Sequence, residues 1–172
     1  QCSGRDISRW FDDKNRVGNV IIGSNYHFVD ELLDWFGEVE WVDGDIYEDL
    51  KEGEKAVVAK DIGSVMIGFE SGLTAYVMYA RGWEKPGFGF DRKIIGDNGY
   101  IIEENGQIEY LSPEGKNKIE SEERDSVLED TRMFLDLVLK NNQPAYTPQD
   151  GLYGVKVVES ASRAAHKGER FY

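Results

Sequence analysis

The sequence is poor in cysteine, histidine and proline, and these shortages exclude several kinds of site. Its 172 residues include 1 cysteine, 2 histidines and 4 prolines. The single Cys2 excludes an internal disulfide framework and a cysteine-built metal site, and it suits a reducing compartment. The histidines, His27 and His166, are far apart and fall on different predicted helices, so we predict no metal site.

Long apolar runs and phosphate-binding loops are also missing. No run approaches the roughly 20 apolar residues that span a bilayer, and the opening QCSGRD has no signal-peptide core. We therefore interpret the protein as soluble and cytoplasmic. Neither GxGxxG on a strand-to-helix turn nor GxxxxGK[ST] occurs, so we predict no cofactor-binding residues in this chain.

Basic residues are outnumbered, and the imbalance bears on possible partners. There are 33 acidic against 20 basic residues, a net charge of −13. Binding to nucleic acid or an anionic membrane needs clustered Lys and Arg, so neither partner is expected. The chain is 40% apolar and 12% aromatic, which is enough for a core. We predict a single domain spanning residues 1–172.

The segment from Gly18 to Gly37 has the pattern of an amphipathic helix. Its apolar residues recur at steps of three and four and form one stripe. The stripe consists of Ile22, Tyr26, Val29, Leu33 and Phe36, widened by Phe28, Leu32 and Trp35. A regular helix would stack Gly23, His27 and Glu31 along one edge of that stripe, with Asp30 three residues after the histidine.

Two interpretations of His27 remain open on spacing alone. In the structural one, the ring pairs with Asp30 or Glu31 on the surface of its own helix. In the functional one, His27 is an acid or base at a cleft, because histidine titrates near neutral pH and can take a proton from a substrate hydroxyl.

The rest of the chain predicts an antiparallel sheet with further helices. Alternating apolar residues flank Ser71–Gly72, which predicts a hairpin with a two-residue joint. Asn98–Gly99 and Asn105–Gly106 predict a meander of three short strands. The segment 38–49 reads as a strand interrupted at Asp43 and Gly44, and residues 112–121 read as a loop.

These patterns predict an α+β fold with an open, mostly antiparallel β-sheet of about six strands. Helices at 19–36, 123–140 and 148–166 are expected to pack on one face of it. The registers of Tyr76, Met78, Ile67 and Phe69 place large residues on both sides of the predicted hairpin, so the second face must also be covered.

Three segments resemble the C-terminal domain of the Gfo/Idh/MocA oxidoreductases. The first, GNVIIGSNYHFVDELLDWFGEVEWVDGDI, resembles its first long helix and following strand. IIGDNGYIIEENGQIEYL resembles a strand pair, and PAYTPQDGLYGVKVVESASRAAHKGERFY is similar to the closing helix. His27 and Asp30 match the family pattern. Gly23 stands where the family usually carries aspartate, and Asn19 where it carries glycine.

The resemblance implies a glyceraldehyde-3-phosphate-dehydrogenase-like C-terminal domain without a Rossmann domain in this chain. It implies the substrate-binding and oligomerisation part of an NAD(P)-dependent dehydrogenase for a sugar, polyol or related hydroxyl compound. NAD or NADP would be bound mainly by a missing N-terminal nucleotide-binding domain, and the chain alone would be inactive. A homodimer or tetramer would form through the sheet.

The expected site residues combine the resemblance with the helix pattern. His27 is the candidate catalytic residue. The candidate substrate-binding residues are Asn19, Gly23, Asp30, Glu31, Arg81, Trp83 and Lys85. The last three fall at a glycine-rich loop, where they are candidates for a cleft wall. The triplet Glu84–Lys85–Pro86 matches the family's catalytic-lysine triplet, but it follows a hairpin strand rather than a Rossmann strand, so we interpret it as coincidence.

Other functions fit parts of the same sequence. The chain does not begin with Met, and we expect an excised domain rather than a truncated gene. A non-catalytic dimeric binding or scaffold protein derived from this domain is one alternative, because Gly23 replaces the usual acid. A stand-alone hydrolase or isomerase using His27 with Glu31 is another. Its weakness is the lack of a second convergent catalytic group.

Overall fold

The computed structural model describes residues 18–49, 60–81, 91–104, 106–119, 125–144 and 146–171. The helices are a π-helical turn Ile21–Asn25, α1 (Tyr26–Phe36), α2 (Ser126–Lys140) and α3 (Pro148–Lys167). The strands are β1 (Val39–Asp49), β2 (Lys60–Phe69), β3 (Thr74–Arg81), β4 (Arg92–Gly96), β5 (Gly99–Glu104), β6 (Gln107–Ser112) and β7 (Gly115–Ile119). The chain divides into two compact units, one formed by Gln1–Trp83 with Ala145–Tyr172 and the other by Glu84–Pro144.

The first unit is an antiparallel sheet covered on one face by helices. Its strand order is β1-β2-β3, and α3 packs on β1 while the π turn packs on β2 and β3. The core side chains Val65, Ile67 and Phe69 on β2 are fully buried beneath these helices. Because alternate residues of a strand point to opposite faces, this periodicity fixes which side of the sheet is covered.

Two glycines let the helices approach the sheet closely. A Cβ at Gly44 would overlap the Ala161 carbonyl group of α3, and one at Gly63 would overlap the side chains of Val20 and Ile21. β1 continues through Asp43 and Gly44 with unbroken pairing to β2. The predicted interruption at these two residues is therefore wrong. The irregular register of β1 lies instead between Val39 and Trp41.

The opposite face of this sheet carries large exposed side chains. Met66 pairs with Tyr76 across the strands, and Ser64 pairs with Met78. Tyr76 is 60% exposed and Met78 is 56% exposed. The prediction that large residues occupy both sides of the hairpin is therefore confirmed.

The hairpin itself is confirmed, but its loop differs from the prediction. The Phe69 N–H donates to the Leu73 carbonyl at 2.9 Å, and the Gly72 N–H donates to the Phe69 carbonyl at 2.8 Å. Gly72 has a φ of 85°. A turn closed by a residue in the left-handed region gives a three-residue loop, one longer than the Ser71–Gly72 joint.

The second unit contains a four-stranded antiparallel meander, β4-β5-β6-β7. The sequence predicted three strands here and a loop over the residues that form β7. That strand, GKNKI, pairs with β6 but has no apolar alternation, as is common for the edge of a sheet. The seven described strands thus form two sheets, of three and four strands, rather than one sheet of about six.

The α+β fold and the three helices are confirmed. The Asp125 side chain caps α2 by accepting from the Leu128 N–H at 3.0 Å, and Asn141 ends the helix in the left-handed region with a φ of 52°. The apolar residues of α2 are nevertheless exposed, and Leu139 is 78% exposed. None of the described helices is long and apolar enough to cross a membrane.

Candidate functional site

The predicted site begins at a π-helical turn rather than in a regular helix. Residues Ile21–Asn25 form this turn directly before α1. Bonds from i to i+5 widen the turn, so Gly23 does not follow the four-residue stacking with His27 that an α-helix would give. Ile22, which was predicted to lie in the apolar stripe, is in this π turn and is 39% exposed.

Asn19 lies inside the packing between the π turn and α3. It is 6% exposed, and its Nδ2 donates to the Ser162 hydroxyl at 2.7 Å. Its Oδ1 accepts from the Ile22 N–H at 3.2 Å. The amide of Asn19 therefore links the start of the helix to α3 through Ser162 and bonds the backbone of the π turn at Ile22.

Asn25 is a buried polar residue that the sequence analysis did not identify. Its side chain is 0% exposed, and its Nδ2 donates to the Gly63 carbonyl at 3.3 Å. Its Oδ1 is buried without a hydrogen-bond partner among the described residues. This amide links the π turn to β2.

His27 lies on the exposed side of α1. Its ring meets the ring of Tyr26 edge-on, with centroids 5.9 Å apart and an interplanar angle of 74°. Within the described ranges, no hydrogen bond to the imidazole is seen. The structure thus presents His27 to solvent, and the pairing of His27 with Asp30 considered for this helix is not observed.

Asp30 is engaged by a residue far away in the sequence. The Tyr146 hydroxyl donates to Asp30 Oδ1 at 2.6 Å across 116 residues of chain. This carboxylate, with a smaller contribution from burial, raises the pKa of Tyr146 well above its usual range. Ionising the phenol would place two negative charges together and remove the shared proton.

The local sequence fixes Tyr146 at the start of α3. Thr147 is the N-cap of this helix, and it forms a capping box with Asp150. The Thr147 N–H and hydroxyl both donate to Asp150 Oδ2, at 2.7 Å and 2.6 Å. These bonds lower the pKa of Asp150 because they favour its carboxylate form. The cap therefore orders the backbone that directly follows Tyr146.

The remaining candidates are dispersed or lie outside the described residues. Gly23 is exposed and Glu31 is half-buried on α1. Arg81 ends β3 and pairs with Asp61 through the backbone. Trp83 and Lys85 lie outside the described residues. Among the described residues, His27, Asp30 and Glu31 thus lie on one helix, and Tyr146 contacts Asp30.

Comparisons with known proteins identify the fold. No protein-family model matches the sequence, and no curated protein matches it. Among solved structures, biliverdin reductase from Synechocystis sp. PCC 6803, in complex with biliverdin and NADP+, is similar at 18% identity and a TM-score of 0.80, over 96% of this chain and 52% of that chain.

Two sugar-related enzymes are also similar in structure. Aldose-aldose oxidoreductase from Caulobacter crescentus, complexed with glycerol, matches at 16% identity and a TM-score of 0.76, over 98% of this chain and 51% of that chain. Levoglucosan dehydrogenase, in complex with NADH and levoglucosan, matches at 14% identity and a TM-score of 0.79, over 94% and 52%. The chain spans about half the length of each of these proteins. The resemblance to the C-terminal domain of the Gfo/Idh/MocA oxidoreductases is therefore confirmed at the level of the fold.

Proposed function

We propose that this chain is the substrate-binding and oligomerisation domain of an NAD(P)-dependent oxidoreductase. Its substrate is a sugar, polyol or related hydroxyl compound. The fold shared with enzymes whose structures contain NADP+ or NADH, and glycerol or levoglucosan, supports this assignment. NAD or NADP would be held mainly by a nucleotide-binding domain outside this chain, and it would supply the hydride acceptor.

The exposed imidazole of His27 is the observation that carries the proposal. It lies on α1 with no hydrogen bond to its ring among the described residues. Oxidation of a hydroxyl group releases a hydride from carbon and a proton from oxygen. His27 takes that proton on a ring nitrogen, which histidine can do near neutral pH. Asp30 and Glu31, on the same helix, contact the substrate hydroxyl groups.

Gly23 distinguishes this chain from the usual family pattern. It offers no acid at the place where the family carries aspartate. We assign that role to water or to a lysine of the nucleotide-binding domain. Gly23 is exposed, so a solvent molecule can reach this position.

The oligomerisation part of the proposal concerns the open face of the first sheet. Met66, Tyr76 and Met78 lie together on this face and are exposed. Burying them against a second copy would remove apolar area from water, which stabilises association. A non-catalytic dimer is the second candidate function, favoured by this face together with Gly23.

The test uses the whole protein that contains this chain. NADH and NADPH binding is followed by fluorescence, and oxidation of a panel of sugars and polyols by reduction of the cofactor. We expect His27→Ala to lower kcat by about 10²- to 10⁴-fold. His166→Ala is the matched control, because His166 lies on α3 with Nδ1 2.6 Å from the Ser162 carbonyl oxygen.

Two outcomes would contradict parts of this assignment. Failure of the whole protein to bind either nicotinamide cofactor would overturn the oxidoreductase function and favour the non-catalytic dimer. Full activity of His27→Ala would leave the oxidoreductase function standing and remove His27 from the chemistry.

A further inference from the structure

Tyr146 meets α1 from a fixed position at the start of α3. The capping box of Thr147 and Asp150 orders the backbone directly after it. Its hydroxyl lies 2.6 Å from Asp30 Oδ1, which is a short hydrogen bond to a charged acceptor. The tyrosine is 50% exposed, so its position depends on this hydrogen bond as well as on packing.

The absence of a side chain at Gly154 leaves space for the Asp30 carboxylate that Tyr146 binds. This glycine of α3 is buried, and a Cβ added to it would lie 3.0 Å from Asp30 Oδ1 and 3.2 Å from Tyr26 Cε2. A larger residue would therefore push against the Asp30 carboxylate and the Tyr26 ring together. Tyr146 and Gly154 confine Asp30 from two positions on the same segment.

This confinement affects His27 because of helical spacing. Residues three apart on a helix are neighbours, so an unrestrained Asp30 would be within reach of the His27 ring. The structure shows the carboxylate bonded to Tyr146 instead. Among the residues that the structure describes, none forms a hydrogen bond to a ring nitrogen of His27.

We propose that Tyr146 is a positioning residue that binds Asp30 and thereby keeps its carboxylate from pairing with His27. The catalytic consequence rests on the proposed function, whereas the hydrogen bond between Tyr146 and Asp30 does not. Removing the Tyr146 hydroxyl frees Asp30 to accept a hydrogen bond from the imidazole. That bond commits one ring nitrogen to Asp30 and sets the tautomer and orientation of the imidazole, so the ring is turned away from the substrate hydroxyl.

Histidine-ring NMR of the whole protein tests this arrangement without requiring activity. The His27 signals are assigned by their loss in His27→Ala and those of His166 by their loss in His166→Ala, and the His166 signals serve as an internal reference. We expect Tyr146→Phe to shift the His27 ring signals and leave those of His166 unchanged. Adding Asp30→Asn to Tyr146→Phe should return the His27 signals to those of Asp30→Asn alone.

Tyr153→Phe is the matched control. Tyr153 is on the same helix, and its hydroxyl accepts from the Val39 N–H at 2.8 Å, so this variant also loses a tyrosine hydrogen bond. It should leave the His27 signals as in the unmodified protein. Unchanged His27 signals in Tyr146→Phe, or an equal shift in Tyr153→Phe, would overturn the proposal.

Steady-state kinetics add a second readout if the whole protein is an oxidoreductase. Tyr146→Phe should lower kcat by about tenfold with little change in KM, because the proton acceptor is withdrawn while the substrate contacts remain. Asp30→Asn should mainly raise KM, and the double variant should have the kcat of Asp30→Asn. A rise in KM without loss of kcat in Tyr146→Phe would contradict the positioning role.

The two proposals fail in different ways. If the NMR shift appears but no nicotinamide binds, the positioning role stands and the proposed function fails. If turnover depends on His27 but its NMR signals ignore Tyr146→Phe, the function stands and the positioning role fails.

Discussion

The Tyr146 hydroxyl and the Asp30 carboxylate are joined by a 2.6 Å hydrogen bond that connects α1 to the segment just before α3. The two residues are 116 positions apart in the sequence. This single bond links the helix that carries His27 to the other end of the first unit. It has consequences for titration, packing and the candidate site.

The first prediction concerns alkaline pH. Asp30 raises the pKa of Tyr146 above the usual value of a tyrosine. A raised pKa in the folded state means that the stabilisation is fully present below the unfolded-state value of about 10. It is lost as the pH rises above that value. Asp30→Asn should therefore lower the pKa of Tyr146 and flatten this alkaline loss of stability.

Tyrosinate absorbance measures the effect. The chain has 9 tyrosines, so the Tyr146 signal is the difference between each protein and its Tyr146→Phe counterpart. In the unmodified protein this component should titrate above the ordinary tyrosine range. Titration of Tyr146 at an ordinary tyrosine pKa with Asp30 intact would show that the bond is absent in solution.

The second prediction concerns Gly154. Gly154→Ala should lower the free energy of unfolding by about 1–3 kcal/mol, because overpacking forces neighbouring groups to shift. The Cβ would lie 3.0 Å from Asp30 Oδ1, so the Tyr146 hydrogen bond should be disturbed as well. Urea denaturation gives the stability change.

Gly151→Ala is the control for this substitution. It lies in the same helix, and its Cβ would meet Tyr146 atoms only at 3.7 Å, an ordinary contact distance. Alanine is a better helix former than glycine by up to about 1 kcal/mol. Gly151→Ala should therefore be neutral or stabilising. Equal destabilisation by both variants would contradict the packing argument.

The third prediction concerns self-association. Met78→Lys places a charge on the open face of the first sheet and should weaken the proposed dimer, because a buried unpaired charge is costly. The fold should remain intact, since Met78 is 56% exposed. Sedimentation velocity over a range of concentrations should show a shift from dimer to monomer.

Val155→Lys provides the comparison on a different surface. Val155 is an exposed apolar residue of α3, so this variant adds the same charge away from the open face. It should sediment like the unmodified protein. A monomer at every concentration in the unmodified protein would rule out the open face as an interface between copies.

Local rules predicted the helices well. Gly37 ends α1 with a φ of 82°, and Thr147 forms a capping box with Asp150 at the start of α3. These features depend on a few neighbouring residues, so their signals lie within one short segment. The amphipathic stripe of α1 likewise follows from a repeating local pattern.

Features that depend on distant segments were less predictable. Gly44 looked like a break because nothing nearby in sequence shows that Ala161 will lie against it. β7 has polar side chains, so its strand conformation comes from backbone pairing with β6. Tyr146 carried no recognisable motif, and its partner Asp30 becomes evident only when α1 and α3 are packed.

For the candidate site, sequence predicted residue types better than their environment. His27 was identified from the sequence and is exposed. The prediction that Gly23 stacks with it in a regular α-helix was wrong, because Gly23 lies in the π turn. Asn19 was expected at the substrate and is buried against Ser162. A change from i→i+4 to i→i+5 hydrogen bonding rotates all the residues before the turn to a different side of the helix. The periodicity of apolar residues in the sequence does not reveal such a change.

The division of the first unit between Gln1–Trp83 and Ala145–Tyr172 has a consequence for folding kinetics. The meander β4–β7 joins strands adjacent in sequence, and such local contacts form quickly. The first unit needs α3, which is synthesised after the meander, and closing so long a loop slows folding. We expect Asp30 to remain without Tyr146 until this late step, so the candidate site is completed near the end of folding.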